Sequence, residues 1–454
     1  MRVYLKDASG IVRIDKVEGL RRFLFLLTLT AFFLAPKFSE GQELTQISIH
    51  PNESLYIHSA ENVGFFSDLK NSGTLASYPN SVVRFFGQRW TNRQGGRLAD
   101  ESLNGMSGQG GTFKFQSLTN SPQFIENQNT QADQGFPILT IANTANVTLE
   151  GTNLHIKRNL NFESGRLILN SRDAILGSKA SITGFDENKF VVTGAGTTGG
   201  HLVRYSSGLQ QPDLIFPIGI SAGSYTPASV NYKGLAQNIK LRVFENVFDK
   251  ATFGAQRNND NVSRTWHTAF ELKDPSAVFS IIAQHSTNEE GANFANNRLR
   301  SFKSRYSSML GRWEKLADIG ISTGNLTSGI VLPNTFTSSR TTMTGISSEE
   351  YFSKGVQEST GLSGLRIPVG ISPNNDGLNE KFIIENLQPT DRVRLDIYNR
   401  WQTLVFRDGN YKNSFDGIGN QKGLINNELP DGTYYYILNI NADKPITGYI
   451  VINR

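Results

Sequence analysis

The chain has 454 residues, 38% of them hydrophobic and 43 of them glycine, and it contains no cysteine. Without cysteine, a disulfide scaffold and any thiolate metal site are excluded. Residues 1–41 carry seven basic and four acidic residues, so the +5 formal charge leaves 38 basic and 36 acidic residues for the rest. A net charge this small after residue 41 gives no global attraction to nucleic acid, which is therefore not an expected partner.

The N-terminal segment places Arg21 and Arg22 before an apolar run from Phe23 to Ala35. As a helix this run spans roughly 20 Å, which is shorter than the ~30 Å hydrocarbon core of a bilayer. A basic pair before a short apolar run is typical of a signal peptide, and small residues favour cleavage after Gly41. We predict residues 1–41 to be a signal peptide for the Sec translocon, with a true start later than Met1. An uncleaved anchor or a buried core helix is the alternative.

Residues 42–240 consist of short stretches in which apolar and polar residues alternate, separated by Gly, Asn or Ser. Alternation with period two predicts half-buried strands. Between residues 147 and 183 the stretches follow one another every six to eight residues. Such close spacing favours the stacked coils of a β-solenoid, with a jelly-roll-like β-sandwich as the alternative.

Residues 241–352 predict a β-sandwich with Trp266 and Trp313 as core anchors, because aromatic side chains bury large apolar areas. Residues 353–366 are rich in Ser and Gly and predict a linker. The predicted fold class is thus all-β and multi-domain.

Residues 367–454 have the clearest strand pattern. Val393, Leu395 and Ile397 alternate with polar residues, and Pro430 begins a Pro-Asp-Gly turn that leads directly into another strand. Five or more short strands in these 88 residues predict an immunoglobulin-like β-sandwich.

Five sequence blocks in this region resemble, in order, the gliding-motility-associated C-terminal domain, the type B sorting domain of type IX secretion system cargo in Bacteroidota. The blocks are ISPNNDGLNEKF (371–382), LDIYNRWQTLVF (395–406), NSFDG (413–417), LPDGTYYYIL (429–438) and GYIVINR (448–454). The sorting-domain motif falls on Asn399, Arg400, Trp401, Asp431, Gly432, Tyr434, Gly448 and Tyr449. The resemblance implies Sec export, then passage through the type IX machinery, then surface retention or release.

The Arg400–Trp401 pair has two interpretations. An exposed pair is a suitable anchor for a sorting receptor, because Arg and Trp are frequent in interface hot spots. We expect instead that Trp401 packs in the core and that Arg400 covers it. Gln402 and Phe415 depart from the family pattern, which usually has Gly and Trp at these positions.

Two further groups of residues are candidate binding sites. Asn374, Asp376, Asn379 and Glu380 place oxygen atoms around a glycine, which predicts a calcium site or, alternatively, an Asx-rich turn. Arg84, Phe86, Arg89 and Trp90 interleave cations with aromatic rings, a pattern that binds glycans; the alternative is a strand with a buried aromatic face.

Metalloprotease and dinucleotide-site signatures are absent from the sequence. It has no HExxH pair, and the glycine-rich stretch 194–200 is followed by a strand-like segment instead of the helix of a dinucleotide site. We predict a non-enzymatic secreted or cell-surface protein with an adhesive, structural or gliding-associated role and no firm cofactor. The alternative is a polysaccharide-active enzyme or a glycan-binding protein built on a β-solenoid.

Overall fold

The computed structural model describes residues 3–7, 10–14, 46–100, 109–209, 212–318, 322–324, 326, 331–356, 365–387, 391–423, 427–440 and 445–454. The chain divides into two compact units, Met1–Val356 and Gln357–Arg454. The apolar run 23–35 and the predicted cleavage point lie outside the described residues. None of the helices in the described ranges is long and apolar enough to cross a membrane.

The first part of the N-terminal unit is built from short strands. They are β1 (Val3–Asp7), β2 (Gly10–Ile14), β3 (Gln46–Ile49), β4 (Ser54–Ile57), β5 (Asn62–Phe65), β6 (Asp68–Asn71), β7 (Thr74–Ser77), β8 (Val82–Phe85), β9 (Arg89–Asn92), β10 (Arg97–Ala99), β11 (Thr112–Phe115), β12 (Gln123–Asn127), β13 (Phe136–Ala142), β14 (Val147–Gly151), β15 (Leu154–Ser164), β16 (Leu167–Ile168), β17 (Ala174–Leu176), β18 (Ser181–Thr183), β19 (Val191–Val192), β20 (Leu202–Ser206), β21 (Leu214–Phe216), β22 (Ile218–Ser221) and β23 (Ser224–Tyr225). A 3₁₀ turn, Ala132–Gln134, lies between β12 and β13.

From β3 onward these strands stack as a parallel β-solenoid. One sheet runs through β3, β6, β9, β12, β14, β16, β19 and β22, a second through β4, β7 and β10, and a third through β5, β8, β11, β13, β15, β17 and β20. The pairs within each run are parallel, and β1 adds antiparallel to β4. The solenoid interpretation is confirmed, and the jelly-roll alternative is not what the chain adopts.

Aromatic side chains fill the solenoid interior. The Trp90 ring makes edge-on or tilted contacts, at centroid distances of 5.4 to 6.4 Å, with Phe65, Phe85, Phe113, Phe115 and Phe136. Asparagine stacks line the turns: Asn71 donates to Asn92 Oδ1 at 2.9 Å, and Asn129 donates to the Arg93 carbonyl at 2.8 Å. Stacked coils thus bury one another's apolar side chains while their turns satisfy one another's polar groups.

The second part of the N-terminal unit continues from the solenoid. Its elements are β24 (Ala228–Lys233), β25 (Gln237–Glu245), β26 (Phe248–Lys250), β27 (Phe253–Gln256), a 3₁₀ turn (Asn258–Asp260), β28 (Arg264–Phe270), β29 (Val278–Ser286), a 3₁₀ turn (Thr287–Glu289), α1 (Ala292–Asn296), a 3₁₀ turn (Arg298–Arg300), β30 (Phe302–Ser307), β31 (Arg312–Asp318), β32 (Ser322–Gly324), β33 (Leu332–Thr337), β34 (Thr341–Met343) and β35 (Glu349–Gly355).

Two antiparallel sheets form this part. The third solenoid sheet extends from β20 through β25, β28, β35, β30 and β31, and a second sheet contains β21, β24, β29, β33 and β32, with β34 also on β29. Phe279 of β29 packs against Phe270 and Phe352 of the first sheet. Positions 240 and 241, where the sequence suggests a boundary, both lie within β25, whose pairing with β20 joins the two parts.

The two predicted tryptophan anchors differ. Trp266 is fully buried, and its Nε1 donates to the Thr226 carbonyl at 3.2 Å. Trp313 is only half-buried, with Nε1 donating to the Phe248 carbonyl at 2.7 Å, so it is not a core anchor.

The predicted linker also needs a correction at its start. Ser353 and Lys354 belong to β35 and are buried, so the first residues of the predicted linker are part of a strand that ends at Gly355. The sequence misleads here because small polar residues are frequent in loops, whereas in this strand the Lys354 Nζ finds an internal partner in His285 Nδ1 at 2.8 Å.

The C-terminal unit is a five-stranded sheet with its own core. Its strands are β36 (Gly370–Ile371), β37 (Val393–Tyr398), β38 (Leu404–Asp408), β39 (Gly432–Ile440) and β40 (Ile446–Ile452), in the order β36-β40-β39-β37-β38. Phe382, Ile384, Tyr411 and Phe415 cover its inner face from less regular segments that make isolated bridges. The all-β, multi-domain prediction is confirmed.

Candidate sorting surface and binding residues

Two of the predicted glycan contacts lie on the outside of the solenoid. Arg84 donates from Nε to Asn62 Oδ1 and from Nη1 to Gln116 Oε1, both at 3.1 Å. The Phe86 ring stacks on Phe66 of the preceding coil with centroids 4.8 Å apart and planes 10° apart, and Phe66 is 40% exposed. An aromatic stack beside a cation is therefore present at this surface.

The other two predicted contacts are not brought to that stack. Arg89 lies 5.0 Å over the Phe124 ring, 3.7 Å from Glu126 and in an ion pair with Glu150, which makes a ladder across three coils. Trp90 has no exposed surface, so a glycan cannot contact its ring. Glycan binding by Arg84, Phe86 and Arg89 stays a prediction.

The glycine-rich stretch 194–200 folds over a buried arginine. Arg242 donates from Nη1 to the Thr197 carbonyl and from Nη2 to the Gly196 carbonyl, both at 2.6 Å. A Cβ on Gly199 would lie 2.5 Å from Arg242 Nη2, so glycine is required for this close approach. The two carbonyls give hydrogen-bond partners to a guanidinium that would otherwise be buried without them.

A chain of titratable groups crosses the outer side of the same sheet. His201 Nδ1 lies 3.1 Å from Asp173 Oδ1, and its Nε2 lies 3.3 Å from His267 Nδ1. Burial, reinforced by the neighbouring His201 ring and the Arg242 charge, lowers the pKa of His267 to about 3. Lys240 lies 3.3 Å from Asp173 and the Arg242 charge acts on His267, so this chain is a poor cation site.

A second chain is buried beneath α1. Lys354 Nζ lies 2.8 Å from His285 Nδ1, and His285 Nε2 lies 2.9 Å from Glu290 Oε1, which also pairs with Arg298. Burial and the Lys354 charge lower the pKa of His285 to about 3, and burial lowers that of Lys354 well below its ordinary value. Since Lys354 lies 69 residues after His285, no local pattern signals the whole chain.

In the C-terminal unit, the motif residues around β39 and β40 shape a hairpin. Tyr434 is buried, and its hydroxyl donates to the Pro430 carbonyl at 2.8 Å, a corner typical of immunoglobulin-like folds. Asp431 lies 3.4 Å from Arg454 Nη1. Gly432 begins β39 with φ of 150°.

Gly448 and Tyr449 of β40 lie on opposite faces of the sheet. A Cβ on Gly448 would lie 2.3 Å from the Tyr436 hydroxyl, so only glycine leaves room for that ring on the inner face. Tyr449, the next residue, points to the opposite side and is 51% exposed.

The turn between β37 and β38 corrects one expectation. Asn399 Oδ1 accepts hydrogen bonds from the backbone amides of Trp401 and Thr403 at 3.0 and 2.9 Å, which fixes the turn. Trp401 is 70% exposed, with the Arg400 guanidinium 4.2 Å from its ring centre. The indole is therefore outside the core, because it lies on a tight hairpin turn and not on the strand itself.

A family model, described as the CHU_C type IX secretion signal domain, matches residues 365–452. The C-terminal unit is a type IX secretion signal domain. Comparison of the chain with curated proteins and with solved structures gave no significant match. The protein is thus cargo of the type IX machinery, exported to the cell surface or released.

The acidic loop of the signal domain uses its oxygen atoms locally. Asn374 and Asp376 each accept a hydrogen bond from the backbone amide two residues later, at 3.1 and 2.8 Å, and Glu380 accepts the Gly377 amide at 3.0 Å. Asn379 has a left-handed φ of 53°. Within the described ranges no cluster of three or more His, Cys, Asp or Glu residues is placed to hold a metal. Calcium binding here stays a prediction.

A charged group that the motif does not include lies on the outer face of the signal domain. Asp396 is buried and accepts hydrogen bonds at 2.8 Å from both Arg394 and Arg407. Burial alone would raise the pKa of Asp396, but the two guanidinium groups lower it below its ordinary value. Two arginines on one carboxylate leave a positive charge on this face.

Proposed function

We propose that the exported protein works outside the cell as a non-enzymatic adhesive, structural or gliding-associated protein, with the solenoid as its working surface. The observation that carries this proposal is the pairing of charges on the solenoid. Glu126 and Glu150, acidic neighbours on successive coils, are both engaged by Arg89. A glycosidase needs one carboxyl group that acts as an acid and another that stays free to act on the sugar or water. This ladder resembles structural cross-linking of coils more than catalytic machinery.

A glycan is the ligand class that the solenoid favours. The stacked Phe66 and Phe86 rings are partly exposed, and Arg84 lies on the same surface, on the strand that ends just before Phe86. Adjoining exposed apolar side chains mark interaction sites. Aromatic rings can pack on the apolar face of a sugar while an arginine donates to its hydroxyl groups.

A glycan array probed with the full-length exported protein tests this proposal. We expect Phe86→Ala to weaken binding to the glycans that score by about tenfold or more. Phe253→Ala is the matched control, since Phe253 is 67% exposed on β27 and should leave binding unchanged. Equal binding by wild type and Phe86→Ala would contradict the site, and release of reducing ends from polysaccharides would contradict the non-enzymatic role.

Entry into the export route is also part of the proposal. The arginine pair and apolar run in residues 1–41 support a signal peptide that the Sec translocon reads. N-terminal sequencing of the secreted protein should then begin at Gln42. A mature N-terminus that retains the apolar run would contradict cleavage.

A further inference from the structure

The outer face of the signal-domain sheet carries a row of tyrosines. Tyr398 of β37 lies opposite Tyr435 of β39, and Tyr435 lies opposite Tyr449 of β40. Tyr435 is 53% exposed and Tyr449 is 51% exposed. On β39 the residues either side of Tyr435, Tyr434 and Tyr436, are buried on the inner face. Three adjacent strands thus present aromatic rings outward at the same level of the sheet.

The row is extended at both ends. The β37–β38 turn follows Tyr398 directly and carries the exposed Trp401, held by the Asn399 hydrogen bonds. Toward the other edge, Val451 of β40 is 38% exposed, and its backbone amide donates to the carbonyl of Val369, which is 66% exposed. We call Tyr398, Trp401, Tyr435, Tyr449 and Val451 the tyrosine face.

The tyrosine face has a basic rim. Arg400 stacks on Trp401, and Arg394 and Arg407 share the single carboxylate of Asp396. Other exposed apolar residues of the signal domain, such as Leu378 and Ile383, lie on separate irregular segments. The outward tyrosines and the Arg394–Asp396–Arg407 cluster therefore share one face of the sheet.

We propose that the tyrosine face is the surface by which a protein component of the type IX machinery binds the folded signal domain. This inference rests on the export role of the domain. Tyr, Trp and Arg are the residues that dominate protein–protein hot spots, and the turn and sheet fix their positions before binding. Arg394, Arg400 and Arg407 exceed the single Asp396 carboxylate by two positive charges. A complementary partner surface would therefore have an apolar centre for the aromatic rings and acidic groups at its edge. Two surplus charges are too few for electrostatic binding to a membrane, which uses clusters of four or more.

The first experiment measures export of full-length variants in the native bacterium. Tyr435→Thr together with Tyr449→Thr keeps strand propensity but removes the rings. We expect the cell-surface and medium fraction to fall about tenfold or more, with accumulation in the periplasm. Leu378→Ala together with Ile383→Ala is the control, because it removes exposed apolar surface elsewhere in the domain and should leave export unchanged.

Two comparisons separate the possible failures. Hydrogen exchange of peptides from 391–440 should be unchanged in the tyrosine variant, which shows that the domain is still folded. Deletion of residues 365–454 should abolish export; if it does not, the export role itself is wrong. If the tyrosine variant is exported normally while the deletion variant is not exported, the proposal for the tyrosine face is wrong but the export role stands.

A second experiment identifies the occupant. A photo-crosslinking amino acid at position 435 or 449 of the full chain should form an adduct with a type IX component, and one at position 378 should not. An adduct with a second copy of the chain or with lipopolysaccharide, or equal adducts at 378 and 435, would overturn the proposal.

Discussion

The solenoid and the signal domain place their tryptophans in opposite environments. Trp90 lies inside the solenoid with no exposed surface, whereas Trp401 lies on a hairpin turn with 70% of its surface exposed. Both regions are built from strands with alternating inward and outward residues. The two regions therefore differ in the residues at their outward positions and turns, and not in how their cores are built.

Several outward charges of the solenoid are paired between coils. Arg89 engages Glu126 and Glu150 of later coils, and Lys114 pairs with Glu163. In the signal domain the outward positions include tyrosines that are half exposed. Self-matched outer faces stabilise a repeat, while exposed aromatic rings on a rigid sheet mark a place for a partner.

The largest expected effect comes from the solenoid interior. Trp90→Ala removes an indole that contacts five phenylalanines, so the solenoid should lose about 3–5 kcal/mol of unfolding free energy. Hydrogen exchange of peptides from 46–127 in the full chain measures this loss. A loss of under about 1 kcal/mol would mean that the coils do not share one packed core.

The buried carboxylate of Glu290 is the next most sensitive group. Its side chain is 1% exposed and pairs with the fully buried His285 and with Arg298, which is 28% exposed, so Glu290→Gln should cost about 3 kcal/mol by removing the carboxylate that both groups face. The control is Glu314→Gln, whose ion pair with Arg312 is exposed and should be worth about 0–1 kcal/mol. Denaturant unfolding of both variants should rank them in this order.

Acid should destabilise the N-terminal unit more than the signal domain. His267 and His285 have folded pKa values of about 3 against an ordinary 6.5, so the unfolded chain binds more protons than the folded chain between these values. The stability of the N-terminal unit is therefore greatest above pH 6.5, where both histidines are neutral in the folded and the unfolded chain. It falls as the pH falls from 6.5 toward 3, because protonation then favours the unfolded chain. At pH 5 each histidine should cost the N-terminal unit about 2 kcal/mol relative to pH 7 or above.

The signal domain provides the control for this effect. It contains no histidine, and the lowered pKa of Asp396 favours folding at all pH values above the ordinary carboxyl range. Peptides from 391–440 should therefore exchange alike at pH 7 and pH 5 after correction for intrinsic rates. Equal destabilisation of both units would contradict the assignment to the buried histidines.

The smallest expected effect is at the exposed tryptophan. Trp401→Ala should change the unfolding free energy of the signal domain by no more than about 0.5 kcal/mol, because the turn is held by Asn399 and not by the indole. Thermal unfolding measures it, with Asn399→Ala as a contrasting variant that should be more destabilising. A loss as large as that of Trp90→Ala would show that Trp401 is a core residue after all.

Much of the strand placement follows from period-two alternation. Tyr434, Tyr436, Leu438 and Ile440 are buried as their spacing predicts. The signal-domain assignment likewise needs only the motif blocks, which the matching family model supports. Trp401 shows the limit of prediction from sequence. The large apolar area of an indole predicts a core residue, but the sequence does not show that a tight turn places this side chain in solvent.

The sequence alone determined the all-β class, the close-spaced coils and the export signal, because each depends on the spacing of neighbouring residues or on contiguous motifs. Only the tertiary structure decided which polar residues meet: Lys354 with His285, Arg242 with the glycine-rich turn, and Tyr398 with Tyr435. The physical reason is that strand register and sheet order join residues tens of positions apart. Alternation fixes which face a side chain occupies, and pairing across strands fixes its neighbours.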